Sequence, residues 1–302
     1  MISLTLGLIV VASAVLLFLT GQKSIAMQKG VTELQDNANF GLNYITQDIR
    51  LTNLNTRSAV INDQTAYGGV VLTSSKTEPK SNVYLTGTAL KADHISKNNL
   101  TSNVVNSRNT AVGSDQLVIQ YLPQYTLEGS DLVGGFDCEG NELRFNQATQ
   151  GLQVVVQRYF LRADNNKASN EGSALALACD AGHYALETPT TIEGYGGAGE
   201  IIIKRVDHFR VLLGVEADGV HRYMSVSNYM AMTVPHPRIL SIQLGMLVRS
   251  TQSVGAESAV KADQEFTVLD QTVQVKTSTD PKYIRQVVSQ TVALRNALGE
   301  RE

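Results

Sequence analysis

The chain of 302 residues is 43% hydrophobic and only 18% charged, whereas an ordinary soluble domain is about a quarter charged. That is enough apolar material for one large or two ordinary domains. Lys and Arg number 25 against 28 Asp and Glu, a net charge of −3, so the basic excess needed for bulk nucleic-acid binding is excluded and no direct nucleic-acid partner is predicted.

In chain order, residues Met1 to Gln22 carry no ionisable side chain, and MISLTLGLIVVASAVLLFLT is apolar or small throughout. About twenty residues at roughly 1.5 Å each match the thickness of a bilayer's hydrocarbon core, so a transmembrane helix is the direct reading. A cleaved signal peptide is the competitor. Its Ala12-Ser13-Ala14 motif sits inside the apolar run, and no basic residue precedes Lys23, so a retained helix is favoured. Beyond the span, Val31, Leu34, Ala38, Leu42, Ile45 and Ile49 recur every three or four residues and share one helix face. One continuous helix from about Met1 to about Asn53 is therefore expected, weakened by Gly21, Gly30 and Gly41. The segment 1–55 reads as a membrane-spanning helix and 56–302 as a head.

After residue 55 the period changes to two. Arg238–Arg249 is the clearest strand, with Leu240, Ile242, Leu244, Met246 and Val248 on one face. Asp207–Val215 places Phe209, Val211, Leu213 and Val215 inward and His208 and Arg210 outward. Further strands are expected at 69–73, 82–86, 116–122, 153–161, 200–205 and 265–269, with weaker patterns at 272–275 and 283–294; in the last, Val and Thr favour strand over helix. Turns rich in Gly, Asn and Asp separate them, and the polar loops 74–82, 93–110 and 163–173 read as exposed. The expected fold is α+β: a long N-terminal helix packed on a β-rich antiparallel head.

Candidate chemistry is sparse. Gly194-Tyr-Gly196-Gly-Ala-Gly199 satisfies the dinucleotide-loop pattern, but the strand-like Glu200-Ile-Ile-Ile-Lys204 follows where a helix is required, so a surface loop is preferred. The five histidines, His94, His183, His208, His221 and His236, lack compact ligand spacing and read as solvated. Asp164-Asn165-Asn166-Lys167 lacks the alternating carboxylates of a calcium loop. Asn99-Leu-Thr101 matches the N-glycosylation tripeptide, a pattern common by chance. Tyr121, Tyr125, Tyr159 and Tyr195 read as core or strand residues. No catalytic, cofactor or metal site is predicted. Cys138 and Cys179 are either two buried thiols or one disulfide of an oxidising compartment; the N-terminal anchor favours the disulfide, which would close a loop of roughly 40 residues.

Together, MISLTLGLIVVASA, Asn43-Tyr-Ile-Thr-Gln-Asp-Ile-Arg50, Gly113–Tyr121, Asp137-Cys138-Glu-Gly140, Gln157-Arg-Tyr-Phe-Leu161, Leu177-Ala-Cys179, the strand from Arg238 and Val292–Asn296 resemble the PilW-type minor pilins of type IV pili. These are counterparts of the J pseudopilin of type II secretion. The resemblance implies a pilin-like fold and a non-enzymatic subunit anchored in the inner membrane with its head in the periplasm. That subunit would later join other minor pilins and the major pilin through the N-terminal helix, at or near the tip of an extracellular pilus. There it would support assembly and hence twitching, adhesion or DNA uptake. Ser3 and Gly7 offer a small-xxx-small helix contact for this joining. The family also implies a basic leader cut before a Phe-Thr-Leu-Ile-Glu-Leu segment, and Met1 corresponds to a position just after that segment. Lys23 and Lys29 follow the span with no base before it, which by itself points the head to the cytoplasm. A basic leader upstream resolves that conflict. The alternatives are a type II secretion pseudopilin, a membrane-tethered periplasmic enzyme or binding protein, and a tip adhesin using loops such as 93–110.

Overall fold

The computed structural model describes residues 2–99, 110, 112–167, 171, 174–217, 219–253, 260–261, 263–276 and 282–298. Its first element is a single helix, Ile2–Leu51, roughly 75 Å long at 1.5 Å per residue. The helix stops where the chain turns through Asn53 and Asn55, both at positive φ (64° and 52°), a region Asn tolerates better than most residues. Asn53 then ties the turn down: its N–H donates to the Gln120 carbonyl at 3.1 Å and its Oδ1 accepts from Gly69 N at 2.9 Å.

Two antiparallel four-stranded sheets form the head. The first runs in the order Leu117–Tyr121, Gln153–Ala163, Leu175–Ala185, Glu200–Lys204. The second runs Val220–Ser225, Val206–Ala217, Arg238–Arg249, Arg285–Ala293. Arg205, at φ 60°, is the single residue between the sheets. A smaller three-stranded sheet, Thr126–Glu128, Asp131–Phe136 and Glu142–Asn146, is inserted between the first two strands of the first sheet.

One core unites the helix and the inner faces of both large sheets. Leu34, Ala38, Leu42, Ile45 and Ile49 from the helix meet Ile119, Leu177 and Ile203 of the first sheet and Phe209, Leu244 and Met246 of the second. The outer face of each large sheet is also covered, the first by the segment around Val71, Val83 and Leu85, the second by the hairpin Glu265–Val268/Gln271–Gln274. Both His208 and Arg210 point outward as expected, but the second cover corrects the reading of His208 as solvated. His208 is fully buried with Nε2 3.1 Å from Gln271 Oε1, and Arg210 pairs with Asp270 on the hairpin and with Asp115.

The strand expected at 283–294 is present as Arg285–Ala293, and those expected at 116–122, 153–161, 200–205, 265–269 and 272–275 are present as Leu117–Tyr121, Gln153–Ala163, Glu200–Lys204, Glu265–Val268 and Gln271–Gln274. The segment 69–73 instead contributes an isolated bridge, Val70 to Ile119, and 82–86 shrinks to Val83–Tyr84. Strands Leu175–Ala185, Val220–Ser225 and those of the three-stranded sheet were not anticipated. The loop 163–173 is not simply exposed: Asp164 and Glu171 are buried at its ends. In 93–110, Ser96, Asn98 and Thr110 are buried, while Leu100 and Thr101 of the glycosylation tripeptide lie outside the described residues.

Candidate functional site: the apolar helix and its seat on the head

The helix has two regimes. From Leu4 to Leu19 its large apolar side chains stand 50–75% exposed, touching no part of the head. Hydroxyls here turn back on the helix: Ser13 Oγ donates to Ile9 O and, one residue past Leu19, Thr20 Oγ1 to Leu16 O, both at 2.8 Å. Polar groups satisfied within the helix and an apolar coat are what a bilayer interior demands. The helix is long and apolar enough to cross a membrane. Ser3, just before this stretch, and Gly7 within it are both exposed, and a Cβ at Gly7 would meet nothing within 4 Å.

From Gly30 onward the helix is seated, and each turn has its own latch. Glu33 Oε2 accepts from Thr251 Oγ1 at 2.9 Å, and Asn37 Nδ2 donates to Lys204 O at 2.9 Å. Tyr44 OH donates to Cys138 O at 3.2 Å, and Asn296 Nδ2 reaches the carbonyls of Arg50 and Thr52 at 3.1 Å each. Gly41 is the closest approach: a Cβ there would lie 2.1 Å from Ile203 Cγ1. Its absence of a side chain lets helix and strand touch. Gly41→Ala is expected to destabilise the protein by about 1–2 kcal/mol, because overpacking against buried Ile203 outweighs the helix-propensity gain of up to about 1 kcal/mol. Gly21→Ala, with nothing within 4 Å, is the control, expected to be neutral or slightly stabilising. Urea midpoints of the full chain in micelles check the pair, and equal midpoints would show that Ile203 simply moves aside.

Beneath the last turns, Tyr159 OH donates to Asp48 Oδ2 at 2.8 Å and also lies 3.0 Å from Gln157 Oε1. Burial pushes the Asp48 carboxyl up to about 6, opposed by the bond from Tyr159 and reinforced by Asp137. A folded-state pKa above the unfolded 3.8 means that the folded chain holds the extra proton between those values. The stability from that proton is complete below about 4 and is lost as pH rises through about 6. Asp48→Asn keeps an acceptor for Tyr159 without the charge. It is expected to stabilise by about 1–2 kcal/mol at pH 8, discounted for the carboxylate's residual exposure, and to do almost nothing at pH 4. Denaturation midpoints at both pH values measure this; a pH-independent gain would refute it.

Cys138 and Cys179 are joined in a disulfide, Cα atoms 6.1 Å apart, which ties the loop of the three-stranded sheet to the first large sheet. The end of the head beside Gly30 and Glu33 of the helix holds a buried charge cluster. Arg205 pairs with Asp164 at 2.5 Å and with Glu171 at 2.8 Å, and Glu171 also pairs with Arg249 at 2.5 Å. Asp207 bridges Arg249 at 3.2 Å and Arg285 at 2.7 Å. Asp164 thus serves this cluster, with its Oδ1 also accepting from Asn166 N at 2.9 Å. Nothing in the spacing of these residues announces that they meet, since they come from four separate stretches of the chain, 164–171, 205–207, 249 and 285.

The glycine loop is filled by the protein's own carboxylate. Gly196 N and Gly197 N each donate to Asp180 at 3.0 Å, and Arg158 pairs with Asp180 at 3.0 Å. Of the histidines, His221 is exposed, while His94 and His183 are half-buried. His208 is held neutral by burial that pushes it down to about 4. His236 is also buried, 2.7 Å from Asp63, which corrects the solvated reading a second time. Among the described residues no group of three or more His, Cys, Asp or Glu is arranged to hold a metal ion. A cavity of about 470 Å³ between Leu132 and the turn 147–152 has Glu187 as its single ionisable wall residue.

Residues 158–296 match the family described as Type IV Pilus-assembly protein W. This region covers two strands of the first sheet, the second half of a third, Gln153–Ala163, and all of the second sheet. A type IV-like pilin from Thermus thermophilus aligns over 88% of this chain and 98% of its own, at 11% identity and a TM-score of 0.36. No curated protein matches the sequence.

Proposed function

From a chain whose residues 158–296 match the type IV pilus-assembly protein W family, we propose that this protein is a minor pilin, a structural subunit that helps initiate a type IV pilus and sits at or near its tip. The observation that carries this reading is the division of one unbroken helix. Its first half is an apolar rod with no partner surface on the head, while its second half is part of the head's own core.

A rod of that kind has two environments that bury it: the lipid of the inner membrane, and a bundle of like helices. Lipid offers little preference between the two, because packing rather than hydrophobic transfer drives helix association within a membrane. Transfer from bilayer to fibre is then a matter of side-chain fit, with Ser3 and Gly7 allowing close approach. In this assignment residues 1–55 are the membrane and assembly element and residues 56–302 the periplasmic head, later exposed on the pilus. The partners are other minor pilins and the major pilin. The head contributes by rigidity: the disulfide, the charge cluster and the helix latches hold one shape while the helix changes environment. Twitching, adhesion and DNA uptake follow from the presence of the fibre.

Two measurements test the proposal. Deleting the chain is expected to reduce surface pili severalfold, with piliation restored by the wild-type protein. A Val11→Asp variant, costing about 3 kcal/mol at the centre of a span, is expected to fail in restoring it. In spheroplasts the head is expected to be accessible to added protease. Unchanged piliation on deletion, or a head protected from external protease, would overturn the assignment.

A further inference from the structure

The three-stranded sheet has two unlike faces. Strand pairing sets Leu127, Leu132 and Phe145 on one face and Thr126, Val133 and Arg144 on the other. The first face packs inward except at its edge, where Leu127 is 58% exposed, with Leu143 and Phe145 buried against Tyr121 and Val155. The second is open. On it Phe136 is 69% exposed opposite Glu142, and Arg144 is ringed by Glu128 at 3.0 Å, Glu142 at 3.0 Å and Asp131 at 3.7 Å. One guanidinium among three carboxylates leaves two negative charges uncompensated around an exposed aromatic ring.

The helix passes beside the turn that follows Phe136. Tyr44 bonds the carbonyl of Cys138, two residues after Phe136, and Phe40 lies one turn before Tyr44 on the same side of the helix. Phe40 is 74% exposed, a large apolar side chain amid Gln35, Asp36, Asn39 and Asn43. The disulfide fixes the sheet to the head and Tyr44 fixes it to the helix, so the two aromatic rings are presented on a rigid frame.

Resting on the minor-pilin reading, we infer that Phe40, Phe136 and the carboxylates of Glu128 and Glu142 form the docking face for one neighbouring subunit. That neighbour is a different membrane-anchored chain whose head presents Lys or Arg around an apolar centre. Charge selects the occupant. A second copy using the same face about a two-fold axis would set Glu128 and Glu142 against their own equivalents, a repulsive arrangement. Height selects it as well. Phe40 lies roughly 27 Å along the helix from Gln22, so a partner anchored by a parallel helix in the same bilayer brings its own head to this level. Apolar rings at the centre with charges at the rim are the usual anatomy of such contacts.

Site-specific photo-crosslinking of the full chain in cells tests the inference. A photoreactive phenylalanine analogue at position 136 or 40 is expected to give one adduct, with a different pilus subunit, and the attached peptide is expected to contain Lys or Arg. The same probe at Tyr223, exposed on the far edge of the second sheet, is expected to give none. Glu128→Lys with Glu142→Lys is expected to cut the adduct at least tenfold at unchanged protein level. Raising salt in isolated membranes is expected to weaken it as well. An adduct only with a second copy, an adduct insensitive to the charge reversal, or no adduct at 136 and 40 in cells whose piliation depends on the chain would each overturn this inference and leave the minor-pilin reading standing. Piliation that does not depend on the chain would overturn both.

Discussion

Asp207→Ala is expected to lower the unfolding free energy of the full-length protein by about 3–5 kcal/mol, the cost of breaking a buried ion pair from one side. Asp207 has no exposed side-chain surface and bridges two guanidiniums, Arg249 at 3.2 Å and Arg285 at 2.7 Å. Without it, Asp164 and Glu171 remain to balance Arg205, Arg249 and Arg285 within the cluster. An uncompensated guanidinium in the interior is the expensive outcome, because its hydration was given up on folding and the attraction that offset the loss is gone. Asp207→Asn retains acceptor oxygen without charge and is expected to fall between wild type and alanine. A contrasting variant, Glu33→Ala, removes the surface pair with Lys29 at 3.9 Å and a single hydroxyl contact, and is expected to cost less than about 1 kcal/mol. Chemical denaturation in micelles, followed by tyrosine emission since the chain has no tryptophan, provides the comparison. A cost below about 1 kcal/mol for Asp207→Ala would mean that water reaches the cluster.

Replacing both Cys138 and Cys179 by serine is expected to cost about 4 kcal/mol, from the chain entropy restored to the unfolded state when a 41-residue separation is no longer closed. Both must change together, because a lone thiol invites mispairing. The loss should be global in denaturation and also local. The three-stranded sheet is held to the first large sheet by this bond and by the small cluster of Leu143 and Phe145, so amides of 131–146 should exchange faster by more than the rest of the head. A loss under about 1 kcal/mol would show that the unfolded chain keeps these segments together without the bond.

Much of the architecture was legible in the sequence because it rests on local periodicity. The absence of ionisable groups before Lys23 and the three-to-four spacing from Val31 to Ile49 suffice for one long helix with an apolar half and an amphipathic half. The alternation from Leu240 to Val248 suffices for a strand, as do the Val and Thr of 285–293 for theirs. Alternation fails where a strand covered on both faces carries apolar or small residues on both. Leu175–Ala185 is an inner strand buried on both sides, and its run of Ala and Leu has no polar beat to read.

What only the tertiary structure decided is which polar residues are inside. His208 and Arg210 obey the outward phase of their strand, yet a hairpin some 60 residues later in the chain folds over that face and buries them. The partners of Asp207, the carboxylate that fills the glycine loop, and Ile203 pressed against Gly41 are likewise contacts between distant segments. Neighbour-to-neighbour preferences set the helix and most strands. The sign and cost of each buried charge depend on what long-range packing brings beside it, and no spacing along the chain encodes that.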